Sequence, residues 1–330
     1  MKSTKWQLWQ IPLKGMAMGL AEIIPGVSGG TIAFVSGIYE RLILAIKSFD
    51  IELMSTFKES GMQGVWKKID GFFLVLLFSG MFIGLVIGAF LVTWLLQHYP
   101  LHLWGFFFGL IFASFFYIVK DISKINWKSI LLILAGGFIA YYITTLSPAE
   151  GNTALWFVGF SGMIAISALL LPGISGSFIL LLLGMYTYIL PIFKELLTSF
   201  QMDNLIVIIV FLCGCLLGVV IFSRIISWTF KRYRDYTLAL LSGFILGSLN
   251  KIWPWRLPSL WMDAQGNTLT DLDGVDASSK LKILKEENFL PHLYPEDSFL
   301  FGVTVSILLG AFMVYALSKM EGDKHAQPYS

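Results

Sequence analysis

The sequence predicts an all-α polytopic membrane protein, built as an inverted-topology repeat. Each half is expected to be a re-entrant helical hairpin followed by about three transmembrane helices. Apolar residues make up 56% of the 330, charged residues only 13%, and mean hydropathy is +0.76; a soluble domain carries about 25% charge. The apolar residues fall in long runs. One run is interrupted by Pro25-Gly26-Val27-Ser28-Gly29-Gly30-Thr31, and the interruption returns as Pro172-Gly173-Ile174-Ser175-Gly176-Ser177, 147 positions later. Pro and Gly at this density break a helix. Broken backbone is tolerated at membrane depth only where protein or a polar cavity covers it.

In chain order, residues 11–24 and 31–46 are apolar arms on either side of the first break. Each is shorter than the roughly 20 residues of a full span, so 11–46 reads as a re-entrant hairpin, with one long kinked span as the alternative. Residues 47–70 are polar and carry Lys47, Lys58, Lys67 and Lys68. Spans follow at 71–96, 103–119 and 129–146, closing a first repeat over 1–150. The second repeat, 151–330, has a hairpin at 155–193 and spans at 205–229, 237–253 and 300–317. A basic knot, Lys231, Arg232 and Arg234, separates its first two spans, and an acidic segment, 254–298, reads as an ordered cap outside the bilayer. The start, Met1 to Gln10, lacks the pattern of a cleavable signal peptide. Cys213 and Cys215 read as packing residues, His98 and His102 as surface histidines.

Cations gather in short cytoplasmic loops. With both breaks as hairpins and both termini cytoplasmic, the Lys/Arg-bearing loops at 47–70, 120–128 and 230–236 fall inside. The cation-free loops at 97–102 and 147–154 fall outside. The halves also align in two constant registers. Gly15, Met16, Ala21, Ile32, Gly37 and Tyr39 match Gly162, Met163, Ala168, Ile179, Gly184 and Tyr186. Gly80, Gly84, Trp94, Tyr99, Gly109 and Ser114 match Gly214, Gly218, Trp228, Tyr233, Gly243 and Ser248. Three spans between the hairpins reverse the second relative to the first, the plan of many secondary transporters. Gly80/Gly84 and Gly214/Gly218 read as close helix-packing positions.

Helix starts after each break offer N–H groups to an anion. Ser28, Gly29, Gly30, Thr31, Ser175, Gly176 and Ser177 are therefore candidate contacts for an anionic group, with helix capping as the alternative for the hydroxyls. Glu22 has no acidic counterpart, since Leu169 takes its place. A carboxyl inside an apolar arm is a functional hypothesis by default, and one removed from water holds its proton more readily, which suits proton coupling. Arg41 and Arg224 are candidate phosphate contacts; Arg224 can equally snorkel to the surface. The net charge of +2 argues against a nucleic-acid partner, and no motif calls for a metal or cofactor.

Gly15-Met-Ala-Met-Gly-Leu-Ala-Glu-Ile-Ile-Pro-Gly-Val-Ser-Gly-Gly-Thr31, followed by Gly37-Ile-Tyr-Glu-Arg-Leu42, resembles the bacterial polyprenyl-phosphate transporters of the PopT type, as does Leu170-Leu-Pro-Gly-Ile-Ser-Gly-Ser177. The resemblance implies a flippase of the bacterial inner membrane that returns undecaprenyl phosphate, the C55 lipid carrier of cell-wall synthesis, from the outer to the cytoplasmic leaflet. Moving an anion inward against an inside-negative potential costs roughly 2.3 kcal/mol per charge per 100 mV, which a co-moving proton would cancel. Undecaprenyl-pyrophosphate phosphatases share the plan, but their Pro-Gly-x-Ser-Arg-Ser motif has Arg where this chain has Gly29 and Gly176. An ion-coupled carrier of a small anion is the third reading.

Overall fold

The computed structural model describes residues 8–24, 26–199, 201–263, 268–270 and 282–319. Pro25, the first residues and Lys324 lie outside them. The helices are α1 (Gln10–Glu22), α2 (Gly29–Val35), α3 (Tyr39–Lys47), α4 (Glu52–Lys68), α5 (Gly71–His98), α6 (Pro100–Lys120), α7 (Trp127–Thr145), α8 (Leu155–Leu170), α9 (Gly176–Leu182), α10 (Tyr186–Thr198), α11 (Met202–Ser248) and α12 (Leu300–Lys319). Among them α5, α6, α7, α11 and α12 are long and apolar enough to cross a bilayer, and the chain is a polytopic membrane protein. Side chains such as Phe82, Phe90, Leu134, Phe138, Phe301 and Phe312 are exposed on these helices, as a surface solvated by lipid requires.

The helices cross on glycine. A Cβ on Gly80 or Gly84 of α5 would run into the carbonyls of Pro12 and Met16 on α1, and one on Gly214 or Gly218 of α11 into those of Gly159 and Met163 on α8. Gly109 of α6 meets the Ile307 carbonyl on α12, while Gly243 of α11 meets the Ile133 carbonyl on α7. Such backbone-on-backbone contact supplies dispersion energy where lipid leaves no hydrophobic drive between helices.

Four expectations need correction. The second arm of each hairpin is not one helix: α2 and α3 meet at 115° and α9 and α10 at 111°, turning at Gly37 (φ 70°) and Gly184 (φ 69°). Residues 47–70 are not a polar loop but contain α4, without a buried residue. It exposes Met54, Phe57, Met62 and Trp66 alongside Lys58 and Lys67, the make-up of a helix lying in the membrane interface. Residues 230–236 hold no extended loop: two helices meet there across a kink at Tyr233 (φ −139°, ψ 47°), so α11 is two helices joined by a tight turn. Tyr99, between α5 and α6, has nearly the same angles (φ −138°, ψ 51°).

The fold is also not wholly α. Residues 254–298 include a three-stranded antiparallel sheet with β1 (Arg256–Met262) between β2 (Thr268–Leu269) and β3 (Lys282–Asn288). Arg256 pairs with Asn288 and Trp261 with Ile283. This cap is fixed to one face of the bundle. Trp255 packs with Leu101 and Val303, Asn250 Nδ2 donates to Thr144 Oγ1 at 2.7 Å, and Asn288 Nδ2 donates to the Asn250 carbonyl at 2.9 Å. Other charged contacts gather at a second group of loops. Arg41 pairs with Asp70, Arg234 with Glu40 and Asp121, and the Asp235 carboxylate accepts the N–H groups of Ser123 and Lys124.

Candidate functional site

The site is where the two breaks meet. At the first, α1 ends at Glu22 and the chain turns through Gly26, whose φ of 92° favours glycine. Ser28, extended and fully buried, is the N-cap of α2 and accepts the Gly30 N–H at 3.1 Å. At the second break Gly173 has φ 84°, Ser175 is the N-cap position of α9, and its hydroxyl lies 2.9 Å from that of Ser177.

Each break satisfies the other's backbone. The end of α8 leaves carbonyls without helical partners. Tyr39 donates its hydroxyl to the Leu170 carbonyl at 2.8 Å, and Ser28 Oγ stands 3.5 Å from the carbonyls of Leu169 and Leu171. In return the Gly173 N–H donates to Thr31 Oγ1 at 2.9 Å. Thr31 is fully buried. The interruptions can therefore sit at membrane depth because broken backbone is covered by other broken backbone. Thr31→Val keeps the shape but orphans the Gly173 N–H. It should cost about 1–3 kcal/mol, read as a lower thermal midpoint of the purified protein, whereas Thr31→Ser should restore most of it.

The free amides expected at the first helix start are not free. Glu22 Oε1 accepts the Gly29 N–H at 2.7 Å and Ser28 Oγ takes that of Gly30. A carboxylate of the chain itself thus occupies the place foreseen for an external anion. At the other end of the same hairpin, Lys14 is buried on α1 and donates to the Ser36 carbonyl at the end of α2, at 2.6 Å. Glu22 with Gly29 and Lys14 with Ser36 lay α2 antiparallel along α1. The second hairpin carries Leu169 at the place of Glu22 and Ser161 at that of Lys14, and Ser161 bonds only its own helix, at the Val158 carbonyl. Its α9 has no side-chain cap hydrogen bond.

The predicted residues divide. Ser28, Gly29, Gly30, Thr31, Ser175 and Gly176 are buried around the meeting point, while Ser177 is exposed. Arg41 is not among them: its guanidinium grips Asp70 at 2.6 and 3.1 Å and lies 4.2 Å over the Phe73 ring. Arg224 is exposed on α11.

A small cleft between the breaks is lined by Gly26, Gly173, Ser175, Phe178, Thr144 and Lys251. Lys251 is the residue that sequence reading missed, since it looks like the polar end of a span. Its Nζ lies 5.1 Å over the Phe178 ring and 3.0 Å from Glu286 of the cap. Burial pushes Glu286 up, but Arg256 and then Lys251 outweigh it and hold the carboxyl below its usual range. A group depressed in the fold stabilises above its unfolded pKa, so this contribution is complete at neutral pH and fades only in acid.

A family model described as VCA0040-like, undecaprenyl phosphate translocase-like, matches residues 18–269, which contain both breaks. The chain belongs to that family. Among curated relatives, this translocase-like chain is 45% identical over 249 residues to a polyprenyl-phosphate transporter of Vibrio cholerae serotype O1, covering 76% of this chain and 79% of that one. It is 32% identical over 269 residues to a polyprenyl-phosphate transporter of Staphylococcus aureus, covering 74% and 86%. Both relatives bear the name of transporters. No solved structure matches the chain.

Proposed function

We propose that this protein carries undecaprenyl phosphate across the bacterial inner membrane, from the outer to the cytoplasmic leaflet, as a transporter and not as an enzyme. The mutual bonding of the two breaks supports this most directly: it keeps interrupted polar backbone inside an apolar bundle, where a head group would meet it while the polyprenyl tail stays in lipid. The names of the relatives support the substrate class. The missing Arg after Ser28 and Ser175 argues against phosphatase chemistry, which needs a cation on the developing charge.

The two halves, 1–150 and 151–330, work as an inverted pair on this reading, with the hairpins entering from opposite sides. The first hairpin runs into the Arg41–Asp70 and Arg234–Glu40 contacts. The second returns beside the loop before α8, where the Ala149 N–H donates to the Leu182 carbonyl at 2.8 Å. On this reading the cap side is extracytoplasmic and both termini are cytoplasmic, the assignment that puts the Lys/Arg-bearing short loops inside.

Glu22 couples protons to the movement. Ionised, it fills the Gly29 amide and competes with the phosphate; protonated, it yields that amide and its negative charge together. Ser28, Gly30, Thr31, Ser175, Gly176 and Ser177 complete the path. The exposed Arg224, and Arg41 once released from Asp70, serve the head group near the cytoplasmic end.

The test is reconstitution in liposomes with undecaprenyl phosphate in the outer leaflet, following loss of the phosphate from surface probes. Protein-dependent loss is expected, accelerated by an acidic exterior. Retention of the lipid at the surface, or release of inorganic phosphate from undecaprenyl pyrophosphate by the purified protein, would refute the reading.

A further inference from the structure

The cap holds a charge cluster that the two breaks do not require. Lys251 Nζ is 3.0 Å from Glu286 Oε2, and Arg256 Nε is 3.3 Å from Glu286 Oε1. Two cations share one carboxylate, so the cluster carries an excess positive charge. The Arg256 side chain is only 5% exposed and lies 3.7 Å over the Trp104 ring. Its Nη1 has no hydrogen-bond partner among the described residues. Surplus charge in such surroundings is costly unless an anion completes it.

Lys251 has the access that Arg256 lacks. Its side chain is 18% exposed and forms part of the cleft wall. Its stem lies against the first break, where a Cβ on Gly26 would stand 2.8 Å from Lys251 Cγ. Lys251 of the cluster and the two breaks thus face one cavity.

We propose that Lys251 binds the phosphate of the incoming lipid at the cap-side mouth of the cleft, and that Glu286 is its resident counter-ion, displaced on arrival. The proposal rests on the reading of the protein as a polyprenyl-phosphate carrier. Arg256 makes the exchange cheap. When Lys251 turns to the phosphate, Glu286 keeps its second cation, so no carboxylate is stranded. When the phosphate moves on, Glu286 recaptures Lys251 and the mouth returns to its resting pairing.

The experiment is binding of undecaprenyl phosphate to the full chain in lipid nanodiscs. Lys251→Met should weaken binding about tenfold or more, the size of a lost charge-assisted bond, and Lys251→Arg should restore most of it. Glu286→Gln should instead tighten binding several-fold by removing the competitor, a gain that a damaged fold cannot produce. Wild-type binding with unchanged affinity in Lys251→Met and Glu286→Gln would overturn this inference alone. No binding by the wild-type chain would overturn the substrate reading and this inference with it.

Discussion

Glu22→Gln should leave a folded protein whose transport no longer responds to pH. The amide oxygen of Gln can still accept the Gly29 N–H, which Glu22 Oε1 takes at 2.7 Å. The exchange of a charge-assisted bond for a neutral one costs about 1–2 kcal/mol, too little to unfold the bundle. What disappears is the titratable competitor. In the wild type, an acidic entry side should speed transport, because protonation withdraws the negative charge from the path of the phosphate. In the variant, the rate should be flat from about pH 5 to pH 8, the interval around neutrality in which physiological switches change charge. Glu22→Leu is the harsher change: it strands the Gly29 N–H, and both thermal midpoint and transport should fall. A Glu22→Gln protein with the full wild-type pH response would remove Glu22 from the coupling.

Gly173→Val should abolish the fold's central contact. Gly173 has φ 84°, a region that costs a β-branched residue about 1–3 kcal/mol. A Cβ there would also stand 2.7 Å from the Phe244 carbonyl, which is backbone and cannot step aside cheaply. Overpacking of this kind adds about 1–3 kcal/mol, and the displaced Gly173 N–H loses Thr31. The expected result is a protein that reaches the membrane poorly, melts far below the wild type and does not transport. Gly137→Ala is the matched control. A Cβ at Gly137 meets only the Gly243 carbonyl, at 3.6 Å, and a helical glycine replaced by alanine gains about 0.5–1 kcal/mol. Its melting point should hold or rise, and equal damage from both substitutions would defeat the account.

The breaks and the spans were legible because their causes are local. Pro and Gly interrupt helices wherever they fall, and apolar runs of span length have one use. The glycine crossings were legible as positions but not as partners. Gly80 and Gly214 announce a close approach, yet that Pro12 and Gly159 supply the opposing carbonyls depends on the folded chain. Gly37 and Gly184 are legible as matching residues of the repeat, but a glycine in an apolar arm does not by itself announce the positive φ at which each arm bends. The pairings that matter most join distant positions. Glu22 lies seven residues from Gly29, and nothing in an apolar arm announces that its carboxylate turns back onto the next helix. Lys14 looks like a charge near the end of an arm, and only the fold brings the Ser36 carbonyl to it. Lys251 acquires its meaning from Glu286, in a strand that an acidic, Pro-containing segment conceals. Arg41 shows the converse: its sequence context suited a phosphate, and nothing in it announced Asp70 as a resident partner.

The first hairpin is clasped at both ends, by Glu22 on Gly29 and by Lys14 on Ser36, and the second has neither clasp. Two levers of like shape therefore differ in compliance. A load shared between them is expected to bend the bare one first, while the clasped one moves with α1 along its glycine seam on α5. Breaking the tip clasp with a proton would make the stiff lever yield as well, so a chemical event one atom wide could change which part of the molecule bends.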